Sequence, residues 1–211
     1  MERVFAVGDI HGCLDKLVLL MGKIDIDFKK DTLVFIGDYI DRGPKSKEVV
    51  DYLMDLAHGK DSVIFLKGNH EYMLQGYLDG TDTMFFLANG GEATIRSYLQ
   101  SGLRDEVEPI PSDHLEFFDS LRLYYETADY IFVHAGLKAQ VPLEKQNEWD
   151  MLWIREEFIY SDFDFGRQVV FGHTAFQKPL VLANKIGIDT GAVYGNKLTC
   201  VELPAQRFFS V

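Results

Sequence analysis

The sequence predicts an α/β fold, on three observations. Short apolar runs of strand length alternate with segments whose apolar residues recur at helical spacing. Several of these runs stop beside a glycine and give way at once to carboxylate, imidazole or amide side chains, the pattern of a buried strand ending in a loop. No repeat, low-complexity tract or linker interrupts the series, so residues 1–211 are expected to form one domain.

Residues 3–7 are the first strand, closed by Gly8, Asp9, Ile10, His11 and Gly12. Over residues 14–24, Leu14, Leu17, Val18, Met21 and Ile24 fall on one helical face. Residues 33–37 form the strand on which the chain is centred, followed by Asp38, Asp41 and Arg42. Acidic groups just past a buried strand end need a cation or hydrogen bonds to offset their desolvation. Ser46–Ala57 reads as a second amphipathic helix with Ser46 as its expected N-cap. Residues 62–66 are the third strand, followed by Lys67, Gly68, Asn69, His70 and Glu71. Helices are expected over residues 71–103, broken at Gly76, Gly80 and the Gly90-Gly91 pair, then a loop at Pro109 and Pro111 and a short helix over 112–120.

Further strands are expected at 122–126, 130–133, 168–171, 180–182, 186–188 and 198–203. The second of these ends at His134, Ala135 and Gly136, and the third at Gly172 and His173. Between them lies an acidic, aromatic excursion over 137–166 that holds Trp149, Trp153 and Arg155. A net charge of −12 counts against a protein that binds nucleic acid by covering phosphates, and no apolar run reaches the length of a bilayer span. The opening residues lack a secretory apolar region, and Cys13 and Cys200 alone make no disulfide framework. A cytoplasmic protein is therefore expected, with neither nucleic acid nor membrane as a partner.

Five strand ends carry polar clusters: GDIHG, GDYIDRG, GNHE, HAG and GH. In α/β sheets, sites form beyond the carboxyl ends of the strands, so these loops can share one crevice. Together they offer Asp9, His11, Asp38, Asn69, His134 and His173, a set without thiolate that suits hard or borderline divalent ions. Six ligands exceed one tetrahedral site. Two ions sharing Asp38, roughly 3.5–4 Å apart, are the economical arrangement. Each fragment alone has a structural alternative, a core histidine or a turn; the five together point to the metal centre.

GDIHG at 8–12, GDYIDRG at 37–43 and GNHE at 68–71 resemble the three signature blocks of the phosphoprotein phosphatase family of calcineurin-like metallophosphoesterases. HAG at 134–136 and GH at 172–173 match its later metal-binding histidines. The resemblance is nearest to the short bacterial and phage (lambda-type) serine/threonine protein phosphatases, through LANGG (87–91), WIRE (153–156) and FGHTAFQKPLVLANKIGIDTGAV (171–193), and runs nearly end to end. It implies a central β-sandwich of mixed sheets flanked by helices, with the site at the carboxyl ends of the strands. It implies one metal on Asp9, His11 and Asp38 and a second on Asp38, Asn69, His134 and His173. Manganese is the expected ion, and iron, zinc and cobalt fit the same ligand types.

The resemblance further implies hydrolysis by direct attack of a metal-bridging hydroxide, without a phosphoenzyme. His70 would protonate the leaving oxygen, Asp41 would orient His70, and Arg42 and Arg155 would clamp the phosphate. The structural alternative for Arg155 is an ion pair with Glu156 or Glu157. The expected substrate is phosphoserine or phosphothreonine in a protein; the alternative is a dinucleoside polyphosphate such as diadenosine tetraphosphate at the same site. In the symmetric diadenosine tetraphosphatases, the resemblance implies variation at Asp41 and aspartate in place of Glu71, which leans towards the protein substrate. Trp149, Trp153, Tyr124 and Tyr125 would either stack a base or pack in the core. A module that only binds phosphorylated partners would have lost a ligand or His70, and neither is lost. Residues 191–197 are turn-like, with no counterpart of the long loop that eukaryotic members place over the cleft, so an open site is expected.

Overall fold

The structure is a computed structural model that describes residues 3–100 and 110–211. The first half runs β1 (Val4–Val7), α1 (Leu14–Met21), β2 (Thr32–Phe35), α2 (Ser46–Ala57), β3 (Val63–Phe65) and α3 (Asn69–Leu78). It continues through α4 (Thr83–Phe86), a π-turn (Leu87–Gly91), α5 (Glu92–Gln100) and α6 (Ser112–Asp119). The second half runs β4 (Tyr124–Glu126), β5 (Tyr130–Val133), α7 (Glu148–Trp153), α8 (Glu156–Ile159), β6 (Gln168–Phe171), β7 (Leu180–Val181), β8 (Lys185–Gly187), β9 (Thr199–Leu203) and β10 (Arg207–Ser210).

Side-chain alternation decides what each strand faces. In β1 and β2, Val4, Ala6 and Val34 turn one way, and Phe5, Val7, Leu33 and Phe35 turn the other. Both faces are apolar because both are covered, as in parallel sheets generally. Each fully buried side chain of this size contributes about 2 kcal/mol, so a one-residue slip is opposed on two faces at once.

The strands form two sheets, in the orders β10-β9-β1-β2-β3 and β4-β5-β6-β8-β7. Each has three parallel strands at its heart, β1-β2-β3 and β5-β6-β8, with antiparallel strands added at the margins. Their inner faces meet in one core that joins Val34, Ile36 and Ile64 to Phe132, Val170 and Ile186. Helices α1 and α2 cover the outer face of the first sheet through Leu17, Leu20, Val50 and Leu53. Helices α7 and α8 cover that of the second through Met151 and Phe158. The result is a β-sandwich of mixed sheets between helical layers, and the carboxyl ends of its parallel strands open onto one edge.

Several expectations are corrected in detail. Ser46 is not the N-cap of α2: it is the first helical residue and is buried, while Lys45 occupies the cap without a side-chain bond. Gly76 does not break α3, which runs on to Leu78 before Gly80 adopts a φ of 69°. The break at Gly90 is real, with φ 103° inside the π-turn. The first helix stops at Met21, short of residue 24, and β10 was not foreseen. Helices α7 and α8 lie inside the excursion. The end of the predicted helical stretch (101–103) and Pro109 lie outside the described residues. Among the described residues, no helix is long and apolar enough to cross a membrane.

Candidate metal centre and phosphate cleft

Every side chain singled out at a strand end is delivered by the loop after a parallel strand. Asp9 and His11 follow β1, Asp38 and Asp41 follow β2, and Asn69 and His70 open α3 just after β3. His134 follows β5 and His173 follows β6. Seven non-glycine residues among those described have positive φ, and five of them belong to these loops: His11, Asp38, Asp41, Arg42 and His173. Left-handed backbone at so many non-glycine positions is local strain, imposed where side chains must be aimed inward. Glycine relieves it where loops touch. At Gly37, φ is 101° and a Cβ would lie 2.6 Å from the Gly68 nitrogen. A Cβ on Gly172 would fall onto Asp9 Oδ1.

Asp38 stands between two groups of donors whose ligand atoms lie within 4.8 Å of one another: His11, Asp38 and His70, and Asp38, His134 and His173. His11 Nδ1 lies 2.8 Å from the Ile40 carbonyl and His134 Nδ1 lies 2.8 Å from the Ile36 carbonyl. A carbonyl only accepts, so both rings carry their proton on Nδ1 and present a lone pair at Nε2. His11 Nε2 faces Asp38 Oδ2 at 3.4 Å, and His134 Nε2 faces Asp38 Oδ1 at 3.4 Å. Asn69 Oδ1 sits 3.0 Å from His134 Nε2 and 2.9 Å from His173 Nδ1. His173 Nε2 is buried without a partner.

Burial holds these rings neutral. It pushes the pKa of His11 down to about 3 and that of His173 down to about 2, and it lowers that of His134. Burial alone would raise Asp38, but the imidazoles facing it lower its pKa, and of these His70 is the one held charged. Lone pairs of neutral imidazole, carboxylate and amide oxygen converging without protons between them repel unless a cation lies among them, so the donor set fits divalent metal. Arg42 Nη1 now supplies positive charge on one side, donating to His11 Nε2 at 2.8 Å.

Asp9 is placed differently from the other expected ligands. It is buried at the site, but both its oxygens accept from the His173 backbone N–H, at 3.3 and 3.0 Å, and it joins neither donor group. Burial and the charges of Asp189 and Asp38 raise its pKa well above the usual carboxylate range. Asp189, which the sequence reading missed, is pushed up to about 6, chiefly by its burial. It follows β8, as the other clusters follow their strands, so the same strand-end rule applied to IDTG would have found it.

His70 is set apart from the other histidines. Its Nδ1 lies 2.6 Å from Asp41 Oδ2, and its Nε2 is buried without a partner. Burial opposes the imidazolium, but the charge of Asp38 and the bond and charge of Asp41 overcome it and raise the pKa. Asp41 is itself held fast. The Thr94 hydroxyl donates to its Oδ1 at 2.6 Å, and its backbone N–H donates to Thr94 Oγ1 at 2.8 Å and Ser46 Oγ at 3.1 Å. Here is the reason Ser46 caps nothing: its hydroxyl is turned to the Asp41 turn. Glu71 anchors the neighbouring turn, accepting from the N–H groups of Tyr39 (2.8 Å), Gly68 (2.9 Å) and Asp38 (3.0 Å).

Arg42 and Arg155 both line a cleft of about 100 Å³ whose floor includes Asp38, Asn69, His70 and His173. Arg155 Nη1 donates to the His173 carbonyl at 3.1 Å and to Thr174 Oγ1 at 3.2 Å; Glu157 pairs instead with Lys138. The 3-10 turn at Ala192–Tyr194 places an exposed Tyr194 ring 5.6 Å from the Arg42 guanidinium, so the turn-like tail furnishes one wall of the cleft.

Comparison with known proteins agrees with this geometry. A family model described as calcineurin-like phosphoesterase matches residues 2–195. The chain is 30% identical to a bis(5'-nucleosyl)-tetraphosphatase PrpE [asymmetrical] of Bacillus velezensis, over 97% of this chain and 90% of that one. It is 32% identical to serine/threonine-protein phosphatase 1 of Salmonella typhimurium, over 96% of this chain and 92% of that one. A solved structure provisionally named a diadenosine tetraphosphatase superposes with a TM-score of 0.78 at 27% identity, over 100% of this chain and 93% of that one.

Proposed function

This chain belongs to the calcineurin-like phosphoesterase family, and on that premise we propose that it is a two-metal phosphohydrolase whose first substrate class is the dinucleoside tetraphosphates. The observation that carries the reaction class is the pair of donor groups sharing Asp38. In this reading, Asp9, His11 and Asp38 hold one divalent ion and Asp38, Asn69, His134 and His173 hold the other. Bound there, two cations would lower the pKa of a water and offset charge on the phosphoryl oxygens. Manganese heads the candidates by resemblance to the family, and iron, zinc and cobalt fit the same ligand types.

The chain's own residues do the rest. An ion on His11 Nε2 would displace Arg42 from that lone pair, and Arg42 and Arg155 bind the non-bridging oxygens of the substrate, a task suited to guanidinium forks. Their charge also offsets the barrier that a net −12 protein presents to polyphosphate. His70, kept charged by Asp41, delivers its Nε2 proton to the departing oxygen. Tyr194 limits the cleft on the side of Arg42.

The dyad also favours a second reading, phosphoserine and phosphothreonine in proteins. A serine alkoxide is a poor leaving group that needs a proton, whereas a departing nucleotide phosphate is a weak base and needs one less. The similarity to a serine/threonine phosphatase supports the same reading. The test is kcat/KM of the manganese-loaded protein for diadenosine tetraphosphate and for a phosphoserine peptide, each repeated with His70→Asn. Turnover of the dinucleotide above the peptide is expected, with the variant losing more on the peptide. The reverse preference moves the function to protein phosphatase with the same machinery, and no turnover of either with any divalent ion overturns the catalytic reading.

A further inference from the structure

A second cleft, of about 320 Å³, opens beside the metal centre, with Tyr72, Gln75, Asp79, Asp82, Phe85 and Trp149 in its walls. Two structural links tie it to the catalytic residues. Helix α3 begins with Asn69 and His70 and carries Tyr72 and Gln75, so at ~1.5 Å of rise per residue the cleft starts within one turn of the acid. On the other side, His173 meets Trp153 edge-on at 6.1 Å, and Trp153 stacks with Trp149 at 5.2 Å and 23°. This aromatic ladder ends at a Trp149 ring that is 57% exposed and braced edge-on by Tyr72 at 6.4 Å. Phe85 packs on Trp153 at 5.6 Å and is itself exposed.

An exposed indole held in place by two other rings is a platform for a planar π-system. The rim selects its character. Asp79 and Asp82 accept hydrogen bonds and repel anions, and Asp82 Oδ1 already takes the Phe85 N–H at 3.2 Å. Phosphates are thus driven to the arginine-lined cleft, and a neutral ring bearing amino groups is drawn to this one. We propose that the second cleft is a nucleobase subsite, which stacks one amino-bearing base of a dinucleoside polyphosphate on Trp149 while the carboxylates of its rim accept from the exocyclic amine. The inference rests on the substrate reading above, from which its test can be separated.

The test pairs two measurements on the manganese-loaded full chain. In the first, KM and kcat for diadenosine tetraphosphate and for base-free inorganic tripolyphosphate are compared in the native protein, Trp149→Ala and Trp149→Phe. Loss of one stacked base is expected to raise KM for the dinucleotide about tenfold in the alanine variant, with kcat and the tripolyphosphate KM unchanged and most of the loss restored by phenylalanine. In the second, tryptophan fluorescence is titrated with adenosine; saturable quenching that disappears in Trp149→Phe is expected. Trp149 is more than half exposed, so its variants are expected to fold, which circular dichroism of each checks. Saturable quenching without dinucleotide turnover leaves the subsite standing and sinks the substrate reading alone. Dinucleotide turnover with an unchanged KM in Trp149→Ala and no quenching by adenosine overturns the subsite alone. A KM effect of Trp149→Ala confined to a phosphopeptide, again without quenching, also overturns it and gives the cleft to a peptide side chain.

Discussion

Asp41 belongs to neither donor group, yet three elements converge on it: α2 through Ser46, α5 through Thr94 and α3 through His70. That investment has one evident return, a proton on His70 Nε2. With its pKa raised in the folded protein, His70 is charged below that value and loses its proton as pH rises through it. Activity on a serine phosphoester is therefore expected to fall on an alkaline limb. In Asp41→Asn the limb shifts to lower pH and kcat on phosphoserine drops about 10²–10⁴-fold, with a smaller drop on a p-nitrophenyl ester, whose leaving group needs no acid. Equal losses on the two esters in a kcat–pH series would remove His70 as the acid. At this scale the motifs were legible, because glycine-flanked Asp, His and Asn announce themselves. Thr94 was not, since a threonine inside a helix carries no local mark of the residue it holds 53 positions away. Glu71 entered the sequence reading only as a specificity mark; its three backbone bonds depend on a turn that the sequence does not display.

Among elements, the shortest helix of the second half has a distinct task. Helix α8 is four residues long, follows Arg155 as its N-cap, and closes at its carboxyl end on the Lys185 ammonium, which donates to Phe158 O at 2.5 Å and Ser161 O at 2.7 Å and lies 4.4 Å from the Phe158 ring. A buried lysine from β8 thus fixes the helix that follows Arg155, the arginine proposed to bind phosphate. Lys185→Met is expected to cost about 1–3 kcal/mol in denaturant unfolding, as carbonyls are left unpaired, and to raise KM severalfold while sparing kcat. An unchanged KM in a folded variant would separate Lys185 from Arg155. The strands were readable from alternation and glycine punctuation; α7 and α8 were not, because four to six residues are too few for helical periodicity to appear. Ser46 misled for a physical reason: a serine before an apolar helical run is a good cap, unless a neighbouring loop claims its hydroxyl.

Across the whole molecule, the candidate metal centre joins the two sheets. Asp38 and Asn69 come from the first, His134 and His173 from the second, and the carboxylates of Asp9 and Asp189 crowd the same space. Burial pushes Asp189 up to about 6 and holds Asp9 well above the usual carboxylate range. Both bind protons more readily than an unfolded chain would, so ion uptake must expel protons and lose affinity as pH falls through about 6. Calorimetry of manganese binding in buffers of different ionisation heat is expected to give more protons released at pH 6 than at pH 8; equal release would mean that neither carboxylate senses the ion. The convergence of the loops was foreseeable from the strand-end rule, whereas the motif spacing does not disclose the second cleft, which is built from side chains on three separate segments. The left-handed residues described earlier carry a consequence for descent. Glycine would tolerate the backbone of His11, Asp38, Asp41, Arg42 and His173 better than the side chains now there. A lineage released from catalysis would therefore drift towards glycine or asparagine at these five positions before its core changed, and that drift would mark a pseudoenzyme among its relatives.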